Sequence, residues 1–241
     1  MKALLIGATG ATGKDLLELL LNDDRFDKVD IFVRRKLDMH HNKLNIHVID
    51  FDQPDKWWHF VKGDVLFSCL GTTLKAAGSK EGQKKVDYDY QLQFAKAAKE
   101  NKVNDYVLVS SDSASSKSPL FYVKIKGQLE DEVRKLNFPK LIIFNPPSLI
   151  RKNSDRKMEL LLIKILHFFN GIGLFKSIKP LETTLLAKAM LNSTKFLEDG
   201  AYSFNGPETK SMAGNETPRH EGTKFFCFTQ SSQRSKDAKR E

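Results

Sequence analysis

Cysteine is scarce in this chain: Cys69 and Cys227 are the whole complement of its 241 residues. Two thiols are too few for a disulfide framework and show no zinc-ligand spacing, so a reducing cytoplasmic location is expected. Long apolar runs are missing as well. The longest, Leu160 to Phe169, is interrupted by Lys164 and His167, so a soluble protein without a membrane span is expected. No small-residue cleavage site follows an apolar region near Met1, which argues against a signal peptide. His40 and His41 sit in a polar loop and read as loop residues, so no metal site is expected. Zinc-finger, helix-turn-helix and RNA-binding signatures are absent, and no internal repeat is visible.

Positive charge is abundant, with a formal net charge of +9. The Lys and Arg residues are scattered rather than gathered on one motif, which argues against nucleic acid as the primary partner. A basic surface favours the approach of an anionic cofactor or substrate.

The informative stretch lies at the start. Ala3 to Ile6 is a short apolar run suited to a buried parallel strand, and Gly7, Gly10 and Gly13 follow at three-residue intervals. Leu16, Leu17, Leu19, Leu20 and Leu21 then continue at helical spacing. Strand, glycine turn and helix together suit a dinucleotide, because a side chain at the turn would hold a pyrophosphate away from the backbone N–H groups and the positive end of the helix dipole. A kinase-type P-loop is excluded: Gly13-Lys14 would need glycine at position 8 and Ser or Thr at 15, where the chain has Ala8 and Asp15.

The second strand, Lys28 to Val33, ends at Arg34-Arg35-Lys36. An arginine at the tip of this strand accommodates a 2′-phosphate, so Arg34 and Arg35 favour NADP over NAD, the plainer alternative being a solvated basic turn. Asp30 lies at the wrong end of the strand to bind a ribose. A third strand, Asn45 to Ile49, leads to Asp50, which suits either the adenine amino group or a helix N-cap or turn. Trp57, Trp58 and Phe60 read as packed core on a short helix. A fourth strand, Asp64 to Cys69, closes in Leu70-Gly71-Thr72-Thr73, where Gly71 lets backbone approach a ligand. Cys69 reads as a small buried hydrophobe. Residues 74–85 form a polar connection to a helix over Val86 to Asn101, and Val103 to Val109 is the fifth strand. Strands alternating with helices predict an α/β fold with a doubly wound parallel sheet, binding ligands outside the carboxyl ends of its strands.

The fifth strand runs into Ser110-Ser111, and Tyr122 and Lys126 follow at the start of a helix. Tyr and Lys four apart share a helix face. An ammonium beside a phenol favours the phenolate, readying Tyr122 to exchange a proton with an alcohol or carbonyl oxygen. Lys126 would also reach the nicotinamide ribose, and a serine hydroxyl at the strand end would hold the substrate oxygen. Each has a plainer reading: packing for Tyr122, a solvated helix face for Lys126, helix caps for the serines.

Taken together, Gly-Ala-Thr-Gly-Ala-Thr-Gly at 7–13, Arg34-Arg35-Lys36-Leu37, Cys69-Leu70-Gly71-Thr72-Thr73, Val86-Asp87-Tyr88-Asp89-Tyr90, Ser110-Ser111, Tyr122 with Lys126-Gly127, and Pro146 resemble the atypical short-chain dehydrogenase/reductases. Within them the chain is most similar to the Tat-interacting-protein-like oxidoreductases, over roughly residues 1–205. The resemblance implies a Rossmann fold binding NADP(H), with Gly7, Thr9, Gly10, Ala11, Thr12 and Gly13 under the pyrophosphate and Arg34 and Arg35 at the 2′-phosphate. Leu70 and Gly71 would run along the cofactor, and Pro146 belongs to the segment over the nicotinamide. Ser111, Tyr122 and Lys126 fall on the family triad, with Ser110 the second choice for the serine. Where the family often has an arginine before the proline after strand six, this chain has Asn145.

Leu141 to Phe144 make the sixth strand, and a small substrate lobe is expected within about 145–207; a helix over Met158 to Phe169 suits closing the lobe or a homodimer contact, with core packing the plainer and preferred reading. Thr183 to Asn192 read as a further helix and Ala201 to Phe204 as a last strand. Residues 208–241 lose all periodicity and read as a disordered or loosely docked tail. The expected function is NADP-dependent hydride transfer to or from a small carbonyl or alcohol substrate; the alternative is a non-catalytic NADP-binding regulator acting through a protein partner.

Overall fold

The computed structural model describes residues 1–150 and 180–214. Seven parallel strands form one sheet: β1 (Lys2–Ile6), β2 (Lys28–Val33), β3 (Leu44–Val48), β4 (Val65–Ser68), β5 (Asp105–Val109), β6 (Lys140–Phe144) and β9 (Gly200–Phe204). Their order is β3-β2-β1-β4-β5-β6-β9, so the winding reverses between β1 and β4. Connections leaving those two strands diverge to opposite faces, and the crevice outside their carboxyl ends is where a doubly wound sheet binds ligands. A separate pair, β7 (Leu149–Ile150) and β8 (Leu181–Glu182), is also parallel.

Side chains alternate along each strand, so each face of the sheet receives its own core. Ala3, Leu5, Ile31, Phe67 and Phe144 pack on one side with Leu16, Leu17 and Leu20 of α1 (Ala11–Asn22). Leu4, Ile6, Phe32, Leu66 and Ile143 pack on the other. Helix α2 (Pro54–Trp57) leads from β3 toward β4. Short helices α3 (Leu74–Ala77) and α4 (Lys80–Lys84) precede a π-helical turn, Lys85–Asp89, that feeds α5 (Tyr90–Glu100). Helix α6 (Phe121–Lys135) covers the same face as α5, whereas α7 (Thr183–Phe196) and α8 (Gly206–Ala213) pack together beside α1. Trp57 is stacked on Phe94 at 4.1 Å and donates to the Asp50 carbonyl, which places it in the core as expected, whereas Trp58 is half-buried and Phe60 exposed.

Two segments differ from the sequence reading. Residues 74–85 are not a plain connection, because Thr73 accepts from the Ala76 amide and Ser79 from the Gly82 amide, each capping a short helix. Helix α8 runs past the expected tail boundary at 208: Asn205 and Glu208 form a reciprocal capping box, and Thr209 and Met212 are buried. The expected Met158–Phe169 helix and the rest of the tail lie outside the described residues. Of the expected 145–207 lobe, α7 and β9 belong to the main sheet layers.

Asp30 is an internal tie of the sheet. It is 2 % exposed and meets Lys2 Nζ at 2.7 Å, His47 Nε2 at 3.0 Å and Asn45 Nδ2 at 3.0 Å. Burial pushes its carboxyl up, but the hydrogen bonds from His47, Lys2 and Asn45 outweigh burial and hold it at about 2. A folded-state value below the unfolded one contributes stability at pH above about 4 that is lost as pH falls toward 2. Asp30→Asn is therefore expected to cost about 2 kcal/mol at neutral pH and to flatten the acid limb between pH 4 and 2. Urea unfolding across pH 2–7 checks it; an unchanged acid limb would refute this role.

Candidate functional site

The turn after β1 is tightly built. Gly7 has φ +84°, in the left-handed region, and a Cβ there would lie 2.4 Å from the Cys69 carbonyl carbon after β4. A Cβ on Gly13 would lie 2.1 Å from the Gly7 oxygen. Both glycines are therefore required by the close passage of backbone against backbone. Gly10 is different. Its Cβ position meets only Gly7 O at 3.2 Å and Cys69 O at 3.9 Å, so here the missing side chain leaves approach from outside clear.

Gly10 is the N-cap of α1, and neither a capping side chain nor an acid occupies the first turn. Its own amide donates to Gly7 O at 2.9 Å. Thr9 is exposed, Ala11 half-buried and Thr12 buried. Leu70, half-buried, and Gly71, exposed, follow β4 and begin where Gly7 abuts Cys69. First-turn amides without a capping side chain, the helix dipole and a glycine at the N-cap fit a diphosphate.

Arg34 and Arg35 are exposed at the end of β2. Asp50, after β3, accepts from the Asp52 amide and from Gln53 Nε2, so its carboxylate serves the turn into α2. Of its two readings, the turn is the one with contacts on view. Pro146 is buried, and its carbonyl accepts from the Asp112 amide at 2.9 Å.

At the carboxyl end of β5 the two serines part company. Ser110 is buried and donates to Glu130, whereas among the described residues the Ser111 hydroxyl makes only a long 3.4 Å contact with the neighbouring Asp112 carbonyl. Asn145 Nδ2 donates both to Glu130 Oε1 at 2.7 Å and to the Ser111 carbonyl at 3.2 Å. Burial pushes the Glu130 carboxyl up, against the hydrogen bond from Ser110 and the charge of Arg134. Asn145 thus ties the strand ends of β5 and β6 at Ser111.

Tyr122 and Lys126 lie one turn apart at the start of α6. Tyr122 is 38 % exposed and Lys126 only 2 %. The solvated reading of Lys126 is therefore set aside: its ammonium is 3.2 Å from the carboxylate of Asp87, itself fully buried. Asp87 also accepts from the Thr72 amide at 3.1 Å. Behind Lys126, Gly127 lets the 115–116 backbone press on the helix, since a Cβ would lie 2.2 Å from Ser115 C and Ser116 N. Asp87, Gly127, Glu130 and Asn145 were not assigned these roles from the sequence. Glycine next to Lys126 and an acid in the Val86-Asp87-Tyr88-Asp89 stretch are the signals the sequence offers. Cys69 is partly buried, and burial pushes its thiol up to about 12 despite the nearby Lys126 charge, consistent with packing rather than nucleophilic chemistry.

Residues 7–142 match the family model described as NAD(P)H-binding. The chain belongs to the NAD(P)H-binding family, as an atypical short-chain dehydrogenase/reductase. This NAD(P)H-binding protein is 34 % identical over 233 residues to Protein FMP52, mitochondrial, of Meyerozyma guilliermondii, covering 92 % of the chain and 100 % of that protein. It is 35 % identical over 195 residues to Protein HTATIP2 of Rattus norvegicus, covering 78 % of the chain and 79 % of that protein. In solved structures it resembles a short-chain dehydrogenase/reductase superfamily protein from Agrobacterium tumefaciens with bound NAD, at TM-score 0.66 and 12 % identity, over 85 % of this chain and 77 % of that one. At that identity the likeness shows the fold, which is the expected Rossmann-type doubly wound sheet.

One expectation is corrected. The cytoplasmic location does not stand, because the FMP52 relative is named mitochondrial. A low cysteine count excludes a disulfide framework without naming a compartment. Among the described residues no helix is long and apolar enough to cross a membrane.

Proposed function

We propose that this protein binds NADP(H) along the 7–13 turn and carries out hydride transfer with a small carbonyl or alcohol substrate. The observation that carries the reading is the tight glycine turn with Gly10 at the N-cap of α1, set between β1 and β4 at the point of sheet reversal, with Ser111 and the Tyr122–Lys126 face at the neighbouring strand and helix ends. Gly7, Thr9, Gly10, Ala11, Thr12 and Gly13 would hold the pyrophosphate, Leu70, Gly71 and Pro146 the nicotinamide half. Asp50 would stand at the adenine edge while serving its turn.

When bound, the nicotinamide supplies or accepts the hydride at the carbon of the C=O or CH–OH group. The chain's own residues handle the oxygen and the proton. Tyr122 gives its hydroxyl proton to the oxygen in reduction and takes one from it in oxidation. Ser111, whose hydroxyl makes only a long 3.4 Å contact among the described residues, donates to the same oxygen. Lys126, one turn along the same helix, would hold the nicotinamide ribose.

Calorimetric titration with NADPH and NADH, followed by NADPH oxidation across a carbonyl panel, tests the reading. NADPH binding with turnover supports it, and failure to bind either nucleotide overturns it. Arg34→Ala/Arg35→Ala is expected to weaken NADPH binding at least tenfold with NADH binding little changed. Equal loss for both nucleotides, or none, would refute the 2′-phosphate role. A second reading, a regulator that binds cofactor without turnover, is favoured by one observation: the Lys126 ammonium is already engaged by Asp87. NADPH binding without oxidation of any panel substrate would select it. From the FMP52 relative we also propose a mitochondrial location, to be checked by fractionation of the tagged protein.

A further inference from the structure

Much of the polar chemistry at the carboxyl ends of β4, β5 and β6 is engaged within the protein. Ser110 and Asn145 meet at Glu130, and Asn145 also holds the Ser111 carbonyl. Asp87 takes the Thr72 amide and the Lys126 ammonium, while Thr73 and Ser79 cap α3 and α4. What is left facing outward there is apolar or cationic. Leu120 is 62 % exposed, Leu74 48 % and Tyr122 38 %. Lys75 and Lys80 are exposed in 65–80, a stretch without an acid, and 113–129 holds Lys117, Lys124 and Lys126, again without one. Asp112 is the single acid between β5 and α6, and the 145–150 segment after β6, Asn-Pro-Pro-Ser-Leu-Ile, carries no charge. Lys80 Nζ stands 5.6 Å from the centre of the Phe121 ring, which brings α4 up to the start of α6. One exposed leucine needs no explanation; exposed leucines at the starts of both α3 and α6, beside an exposed tyrosine and a rim of lysines, do.

We propose that the substrate is an amphipathic carbonyl or alcohol compound, its alkyl chain laid on Leu74 and Leu120 and an anionic group at the chain's end held by Lys75 and Lys80. The inference deepens the oxidoreductase reading and rests on it. In reduction the carbonyl carbon receives a hydride from NADPH and the oxygen receives a proton through Tyr122; the alcohol and NADP⁺ leave, and solvent restores the Tyr122 proton. A sugar would instead present hydroxyls on every side and need uncommitted donors and acceptors to meet them. Ammonium groups on an exposed rim draw an anion from a distance, and salt screens that attraction.

The test compares NADPH oxidation by the wild type with a medium-chain alkanal, the same chain ending in a carboxylate, acetaldehyde and an aldose. At low salt the carboxylate-ended chain is expected to show kcat/KM at least about tenfold above the plain alkanal, a gap that closes at high salt. The alkanal is expected to exceed acetaldehyde by at least about tenfold. Lys75→Gln/Lys80→Gln is expected to raise KM for the carboxylate-ended chain by at least about fivefold more than for the alkanal, with thermal unfolding measured alongside. Equal kcat/KM for the charged and neutral chains, equal values for the alkanal and acetaldehyde, or a preference for the aldose overturns the proposal. Calorimetry of the NADPH-saturated protein with a medium-chain alkyl carboxylate, which cannot be reduced this way, gives a readout free of turnover. It is expected to bind at least about tenfold tighter than acetate, and no binding overturns the proposal. Attachment to vesicles of anionic phospholipid without binding of the monomeric carboxylate overturns it too, and assigns the patch to a membrane surface. If the carboxylate binds but nothing in the panel is turned over, the hydride-transfer reading falls and the amphipathic ligand site stands; if the panel is turned over without preference, only this inference falls.

Discussion

Gly13→Ala is expected to cost about 3 kcal/mol or more of folding stability and to remove NADPH binding. The new Cβ would stand 2.1 Å from the Gly7 oxygen, 2.7 Å from the Gly7 carbonyl carbon and 3.1 Å from the Ala8 Cα. All three are main-chain atoms, with no flexible side-chain end to swing aside. Nor can the turn retreat, because the position of a Gly7 Cβ is already 2.4 Å from the Cys69 carbonyl carbon on its other side. Relief would require β1 and α1 to separate, which opens the contacts of Leu16, Leu17 and Leu20 with the sheet. Gly10→Ala supplies the contrast. With its nearest neighbour at 3.2 Å, it is expected to cost under about 1 kcal/mol in stability yet to weaken NADPH at least tenfold, because its methyl group would stand where the diphosphate approaches. Urea unfolding with and without NADPH measures both. A Gly10→Ala protein that binds NADPH as the wild type does would remove the turn from the cofactor site.

Tyr122→Phe is expected to lower the rate of carbonyl reduction by roughly 10²- to 10⁴-fold while leaving NADPH affinity within about threefold. The reasoning is that the phenol is asked for a proton only as the substrate oxygen gains charge, so its loss acts on the transition state rather than on cofactor binding. Stability should change little, because Tyr122 is 38 % exposed and fills no core position. Ser111→Ala should act in the same direction and more weakly, since a donor to the oxygen is lost but the proton is still supplied. An unaltered rate in Tyr122→Phe, for any substrate the wild type reduces, would move the acid–base role off this residue. Rates and binding constants from the same preparation separate these outcomes.

How far the site was legible in the sequence varies residue by residue. Gly7, Gly10 and Gly13 were legible as a tight turn between an apolar strand and a leucine-rich helix, but only the structure shows that Gly7 and Gly13 are required by backbone contact and Gly10 is not. Tyr122 and Lys126 were candidates by their spacing, and both lie on one helix. That spacing could not tell a solvated lysine from a buried one, and the difference lay in Asp87, far away in the chain on the segment before α5. Ser110 and Ser111 were indistinguishable as letters; Glu130 and Asn145 separate them by engaging one hydroxyl and the other's carbonyl. Asp50 could serve adenine or a turn, and only the positions of the Asp52 amide and Gln53 show the turn in use. The caps at Thr73, Ser79 and Asn205 were local signals and could have been read; a polar composition concealed them.

What the sequence determined by itself is periodic and local: strands where apolar residues run short and continuous, helices where they recur every third or fourth position, and a tight turn where glycines fall between strand and helix. What only the tertiary structure decided is which polar side chains find each other once the sheet is wound. The order β3-β2-β1-β4-β5-β6-β9 brings β1 beside β4 and β4 beside β5, and so sets Gly7 against Cys69 and lets the segment behind β4 reach α6. The physical reason is that burial is a property of the assembled layers: a lone charged residue has no stable place inside, and Asp87 and Lys126 share one only because the fold delivers each to the other.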